Sequence, residues 1–348
     1  MNLLRQFFPP SPAFTEEHLP DLAGRVYIIT GGYSGIGLEL AALLYRSNAT
    51  VYLAGRSEGP ARRAIRALEE KTGAGVASEK KEKKPCGGAL HFMHVQLDDL
   101  AGVRASAEWF LQRETRLDVL WNNAGLMGGD VLTTRQGNEI HVGTNCLGHF
   151  LLTKLLHPLL AATAAAAPPG TVRVVWLGSL VTHLHAPRRG GMDLARLDFS
   201  RGDREGPAVK YAVSKVGAVF AAAEWARRDA CSNIVHLSVN PGNLKTPLQR
   251  QMGRLERAVS NAMLYDAKYG AYSELWAGLS PDITPADSGR YAVPWGRWGS
   301  LRADIEAEMR EGEGRKSFQF FEWCEAKTAQ WCGPAFAGAG AGLGVRTS

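Results

Sequence analysis

The chain has 348 residues, of which 45% are hydrophobic and 21% charged, and it carries a net charge of +6. That composition excludes a disordered chain, the length suffices for one or two domains with a large core, and no run of 18 or more apolar residues suggests a spanning helix. The basic residues are scattered except for Lys80, Lys81, Lys83 and Lys84, which read as a solvated insertion, so no nucleic-acid partner is expected.

In chain order, residues 1–21 form an extension with Leu3, Leu4, Phe7 and Phe8 near its start. It is too short for the layout of a signal peptide. Packing against the folded body is the simpler reading, with contact to a membrane surface or cover for the active-site mouth as alternatives. Residues 25–30 are β-branched and aromatic and read as a buried strand. They run into Gly31-Gly32-Tyr33-Ser34-Gly35-Ile36-Gly37, followed by Leu38, Leu40, Ala41, Leu43 and Leu44 at helical spacing. Strand, glycine turn and helix make a dinucleotide fingerprint. Gly31 permits the turn, Gly35 lets backbone approach a pyrophosphate, Gly37 lets helix pack on strand, and the helix start offers free N–H groups to phosphate. Tyr33, Ser34 and Ile36 complete this cofactor-binding turn. The next strand, 50–54, is followed by Arg56, with no acidic residue before Glu58. A guanidinium there suits a ribose 2′-phosphate, which favours NADP over NAD.

Further strands are predicted at 89–95, 117–121, 172–177 and 234–239, with a seventh at 291–294. Their alternation with helices predicts an α/β fold of Rossmann type, a doubly wound parallel sheet with helices on both faces. Between the fifth and sixth strands lies Tyr211-Ala212-Val213-Ser214-Lys215. It places a phenol and an ammonium one helical turn apart. A lysine cation near a phenol lowers its pKa from about 10 toward neutrality and gives a usable general acid or base. The helix continues through Val216, Val219, Phe220, Ala223 and Trp225, a pattern expected to pack on the sheet or on a second subunit. Cys86, Cys146, Cys231, Cys324 and Cys332 are irregularly spaced, without CxxC, as in the reducing cytoplasm. His183 and His185 lack a third ligand at useful spacing, so no metal site is expected.

With these pieces in order, the chain resembles the short-chain dehydrogenase/reductase family over residues 22 to about 246. Asn122-Asn123-Ala124-Gly125 resembles the family's NNAG, Thr144-Asn145-Cys146-Leu147-Gly148-His149-Phe150 the segment bearing its catalytic asparagine, Gly178-Ser179 its catalytic serine, and Asn240-Pro241-Gly242-Asn243-Leu244-Lys245-Thr246 the segment that closes over the nicotinamide. The resemblance implies Asn145, Ser179, Tyr211 and Lys215 as catalytic residues. It implies cofactor contacts from Gln96, Leu97, Asn123, Ala124, Gly125, Pro241, Gly242, Leu244 and Thr246, as well as from Tyr211 and Lys215. Leu147–Thr153, Asp282–Thr284 and Tyr291–Arg297 are similar to retinol-dehydrogenase-like and WW-domain-oxidoreductase-like members, and to their fungal relatives. Three departures stand out. Gln96 occupies the position of an adenine-binding aspartate, with Asp98 as the alternative; Gly178 replaces a serine; and the interval from Ser179 to Tyr211 is long.

The resemblance thus implies an NADP(H)-dependent oxidoreductase acting on a small carbonyl or alcohol, in secondary metabolism, as a monomer or homodimer. Non-redox biosynthetic chemistry and dinucleotide sensing without turnover are the alternatives. One domain is expected over residues 22–333, with 247–333 as a C-terminal substrate cap closed by aromatic residues of 318–331, a mobile lid over 246–272, and a disordered tail over 334–348.

Overall fold

A computed structural model describes residues 4–72, 87–128, 132–199, 205–245 and 264–333. Their centre is an eight-stranded sheet in the order β3-β2-β1-β4-β5-β6-β7-β8. The strands are β1 (Val26–Thr30), β2 (Thr50–Gly55), β3 (Ala89–His94), β4 (Val119–Asn122), β5 (Arg173–Leu177), β6 (Val235–Val239), β7 (Tyr291–Val293) and β8 (Arg297–Trp298). The first seven run parallel. β8 turns back antiparallel on β7. It was not expected from the sequence, because two residues are too few to show a pattern.

Alternate residues of each strand feed two cores, as the two-residue period of a strand requires. On one face Ile28, Leu120, Val174 and Trp176 meet α3 (Leu100–Leu111), α4 (Ile140–Ala166) and α5 (Pro207–Arg228). On the other, Tyr27, Ile29, Trp121 and Val175 meet α1 (Gly35–Arg46), α2 (Glu58–Thr72) and α6 (Ala267–Leu279). β1, β5 and β6 are buried along their whole length. β1 accordingly reads as an almost unbroken apolar run, whereas β5 and β6 also bury Arg173, His236 and Ser238. The strand order reverses between β1 and β4, which opens a crevice at their carboxyl ends.

Among the described residues one helix, α4, is long and apolar enough by length and composition to cross a membrane, with a mean hydropathy of 1.2. Two thirds of that window is buried, and its apolar surface is core. The last helix, α7 (Lys316–Thr328), was expected to close over the substrate. Instead Phe320, Phe321 and Cys324 are buried in the core shared with α5. The Phe321 ring lies 4.9 Å from Phe150 and 5.5 Å from Trp225. A polar clasp seals the contact, with Ser317 Oγ and Arg227 both donating to the buried Glu224 carboxylate. The outer side of α5 is therefore covered by the same chain.

At the amino end of β6, Asp229 lies between two imidazoles, 3.0 Å from His236 Nε2 and 3.0 Å from His157 Nε2. Both rings stack on Trp225. Burial raises the Asp229 carboxyl, but the two histidines outweigh it and hold it well below the usual carboxylate range. A carboxyl depressed by folding contributes stability above its unfolded pKa of about 3.9 and loses it as pH falls through the folded value. Asp229→Asn should therefore cost about 1–3 kcal/mol at neutral pH. It should also narrow the stability gap between neutral and acidic solution. Urea unfolding at both pH values measures this, and an unaltered gap would count against the pairing.

Candidate active site

The crevice is built around Thr30, the last residue of β1. Its carbonyl accepts from Asn123 Nδ2 at 2.6 Å, and its hydroxyl accepts from the Ala124 N–H at 2.9 Å. The same hydroxyl lies 2.9 Å from His149 Nε2. Burial pushes the His149 imidazole down to about 4, so it is neutral, with Nδ1 facing the Asn145 carbonyl at 3.1 Å. The sequence showed His149 only as one letter of the Asn145 segment; in the fold it ties the helix of Asn145 to the end of β1.

Gly31 and Gly35 hold positive φ of 70° and 55°, conformations that favour glycine. α1 begins at Gly35, and Ser34 makes no side-chain cap, so the first N–H groups face the crevice. Tyr33 lies against Gly55 at the end of β2, where a Cβ would stand 2.4 Å from its ring, and its hydroxyl accepts from the Ser57 N–H at 3.3 Å. Arg56, beside it, is exposed. Gln96 and Asp98 are both half-buried beyond β3, and Leu97 is buried with its carbonyl against Gly148. Asp99 caps α3 and takes Arg135 and Gln136.

Asn145 lies in a π-helical stretch of α4, Gly143–Gly148. Such bulges are frequent at functional sites. Its carboxamide pairs with both backbone groups of Leu126, accepting from N at 3.0 Å and donating to O at 3.1 Å. It also donates to Ser214 Oγ at 2.9 Å, and Ser214 in turn donates to the Tyr211 carbonyl at 2.7 Å. One turn earlier, His141 Nε2 accepts from the Gly128 N–H, and Nδ1 faces the Glu139 carboxylate at 2.6 Å. The His141 ring meets Tyr211 edge-on at 6.5 Å. α4 thereby registers the loop after β4 at two points. Glu139 and His141 left no sequence signal, because their pairing depends on the loop folding back.

Tyr211 is hydrogen-bonded to Ser179. Lys215 Nζ donates to the Leu177 carbonyl at 2.9 Å and lies 5.6 Å from the Tyr211 ring centroid. A Cβ on Gly125 would stand 3.5 Å from both Lys215 Nζ and Asn145 Oδ1, so those three residues meet. The structure thus brings Asn145, Ser179, Tyr211 and Lys215 together. The expected lowering of the tyrosine pKa is not found: burial raises Tyr211 above its ordinary value, with the Ser179 hydrogen bond opposing, and burial pushes Lys215 down to about 8. Desolvation disfavours both charged forms, and it outweighs the Ser179 hydrogen bond at Tyr211 and the charges of Cys146 and Glu274 at Lys215. Glu274 on α6, also buried, has its carboxyl pushed up to about 8, and neither oxygen has a hydrogen-bond partner among the described residues.

Beyond β6, the Pro241 carbonyl accepts from Ser273 Oγ, Gly242 faces Trp295, and Leu244 packs with Ile36 over Gly270. Leu244 and Tyr265 form a β-bridge. Thr246 and most of the expected lid, 246–263, lie outside the described residues.

The short chain dehydrogenase family profile matches residues 25–187. A short-chain dehydrogenase/reductase of Phomopsis amygdali is 40% identical over 333 residues, covering 93% of this chain and 95% of that protein. The chain belongs to the short-chain dehydrogenase/reductase family. A second member, short-chain dehydrogenase/reductase iacJ of Pestalotiopsis fici, is 41% identical over 93% of this chain and 96% of its own. Among solved structures, an uncharacterized protein from Mycobacterium paratuberculosis superposes with a TM-score of 0.61 at 27% identity, over 92% of this chain and 97% of that one. Members of the family are oxidoreductases that bind a nicotinamide dinucleotide, and the glycine turn, the uncapped α1 and Asn123 form a cradle that fits its pyrophosphate.

That cradle has no room for a methyl group at Gly37. A Cβ there would lie 2.7 Å from Asn123 Nδ2 and 2.7 Å from the Gly31 carbonyl oxygen. Gly37→Ala should cost about 1–3 kcal/mol of stability by overpacking. It should also weaken dinucleotide binding, because the Gly31 backbone must move. Thermal melts and fluorescence titration would reveal both, and unchanged binding would dissociate this turn from the cofactor.

Proposed function

We propose that the protein is a cytoplasmic NADPH-dependent carbonyl reductase, or alcohol dehydrogenase in the reverse direction, acting on a small apolar or aromatic substrate of secondary metabolism. The observation that carries this reading is the cluster of buried Tyr211, Lys215 and Asn145 with half-buried Ser179 at the carboxyl ends of β4 and β5. When bound, the dinucleotide supplies or accepts the hydride. Arg56 and Tyr33, at the end of β2, would hold the adenosine ribose and its 2′-phosphate. Gly31 to Gly37 would hold the pyrophosphate, and Lys215, Asn123 to Gly125 and Pro241 to Leu244 the nicotinamide half.

Ser179 donates a hydrogen bond to the substrate oxygen and polarises it. Tyr211 delivers the proton to that oxygen. Its burial keeps the phenol protonated, which is the form a reduction needs. As the proton leaves, charge grows on the phenolate oxygen. The Lys215 ammonium beside the ring stabilises that charge in a dry site, where attraction falls off less than in water. Asn145 keeps the Leu126 loop and Ser214 in place around them.

Tyr211→Phe keeps the ring and removes the acid, so turnover should fall by about 10²–10⁴-fold with cofactor binding retained. Absorbance loss of NADPH across a panel of ketones and aldehydes, with products identified by mass spectrometry, tests both the activity and the variant; near-normal reduction by the Phe form would remove Tyr211 from the chemistry. Arg56 presents a fork suited to a phosphate. Arg56→Asp repels the 2′-phosphate and can accept from a 2′-hydroxyl, so the ratio of kcat/KM for NADPH over NADH should invert. Equal kcat/KM for the two cofactors in the parent protein would contradict the assignment.

A further inference from the structure

The N-terminal extension reaches the far side of the candidate site. Gln6, on the helical turn Leu4–Phe7, is 2% exposed, and its Oε1 accepts from Asn240 Nδ2 at 2.9 Å. Asn240 is itself buried, and its Oδ1 accepts from the Gly242 N–H at 3.0 Å. The two contacts orient one carboxamide. Turned over, it would set Nδ2 against the Gly242 N–H, donor against donor. Gly242 holds a φ of 103° and has the Trp295 ring where a Cβ would be. It has no side chain with which to anchor itself, so the Asn240 amide holds the turn from within.

The extension is fastened along its length. The Pro10 carbonyl accepts from Arg297, Glu16 takes Lys268 at 2.8 Å and the Tyr272 hydroxyl at 2.7 Å, and Phe14 is buried in the core with α1. Gln6 Nε2, by contrast, is buried without a hydrogen-bond partner among the described residues. An orphaned donor is costly, and an apolar side chain of the same length would avoid that cost. Packing alone therefore does not account for a glutamine here, whereas its acceptor oxygen does.

We propose that Gln6 is a positioning residue of the cofactor site, which sets the Asn240 amide and through it the backbone of residues 240–244. The inference rests on the reading of that segment as the one that meets the nicotinamide half.

The test uses the full chain. Gln6→Met keeps the length and removes the acceptor. Its affinity for NADPH, measured by fluorescence titration well below the melting temperature, should fall about tenfold, the scale of one buried hydrogen bond. The KM for NADPH should rise in parallel while kcat at saturating cofactor stays near the parent value, and peptides spanning 240–245 should exchange hydrogen faster. Gln6→Glu, which retains an acceptor oxygen, should bind NADPH more tightly than Gln6→Met, and it supplies the comparison with the parent if the Met form does not fold. Parent-like affinity in Gln6→Met, with or without a lower melting temperature, would assign Gln6 to packing and overturn the proposal. A parent chain that binds neither NADPH nor NADH would overturn the cofactor reading and this inference together, and so separates the two failures.

Discussion

At the carboxyl ends of β1 and β4 the crevice is fastened by one residue, Thr30, and the site depends on it. Its carbonyl and hydroxyl engage Asn123 and Ala124 on one side and His149 on the other. A parallel sheet ends with its strand termini side by side but does not by itself fix the loops that leave them. Here the end of β1, the loop after β4 and α4 at His149 share one hydroxyl. Because His149 is buried and neutral, that contact persists through the physiological pH range.

Electrostatics at the site is governed by desolvation. Lys215, Tyr211 and Glu274 are all buried, and each is pushed toward its neutral form. A phenol that stays protonated is ready to give its proton away. A lysine brought down to about 8 is still mostly charged at neutral pH. The site thus stores a proton on one group and a positive charge on its neighbour, without an exposed ion pair that salt would screen.

The C-terminal segments bind the periphery to this centre. Arg302 donates to the Ala186 and Pro187 carbonyls, and Lys316 Nζ to those of Arg189 and Met192. They tether the long stretch between Ser179 and Tyr211 to α7 and the turn before it. A stretch lengthened at that point gains its support from the end of the chain, which also covers α5.

The alternation of apolar strands and amphipathic helices was legible in the sequence, and so was the glycine turn, because both are local: periodicity and φ preference act within a few residues. Each of the seven parallel strands had a sequence signal, whereas β8 had none. Tyr211 and Lys215 were legible as a pair because one helical turn joins them. Their protonation was not, since it depends on how much water the surrounding core removes. Nor could the sequence show the Glu139–His141 pair behind the catalytic tyrosine, the packing of α7 on α5, or the contact of Gln6 with a residue 234 positions away. The sequence by itself determined the order of elements and the chemical groups available at the strand ends. Tertiary structure alone decided which of those groups are dry, which are paired and which distant segments hold them, because burial and long-range hydrogen bonds arise only when the layers close.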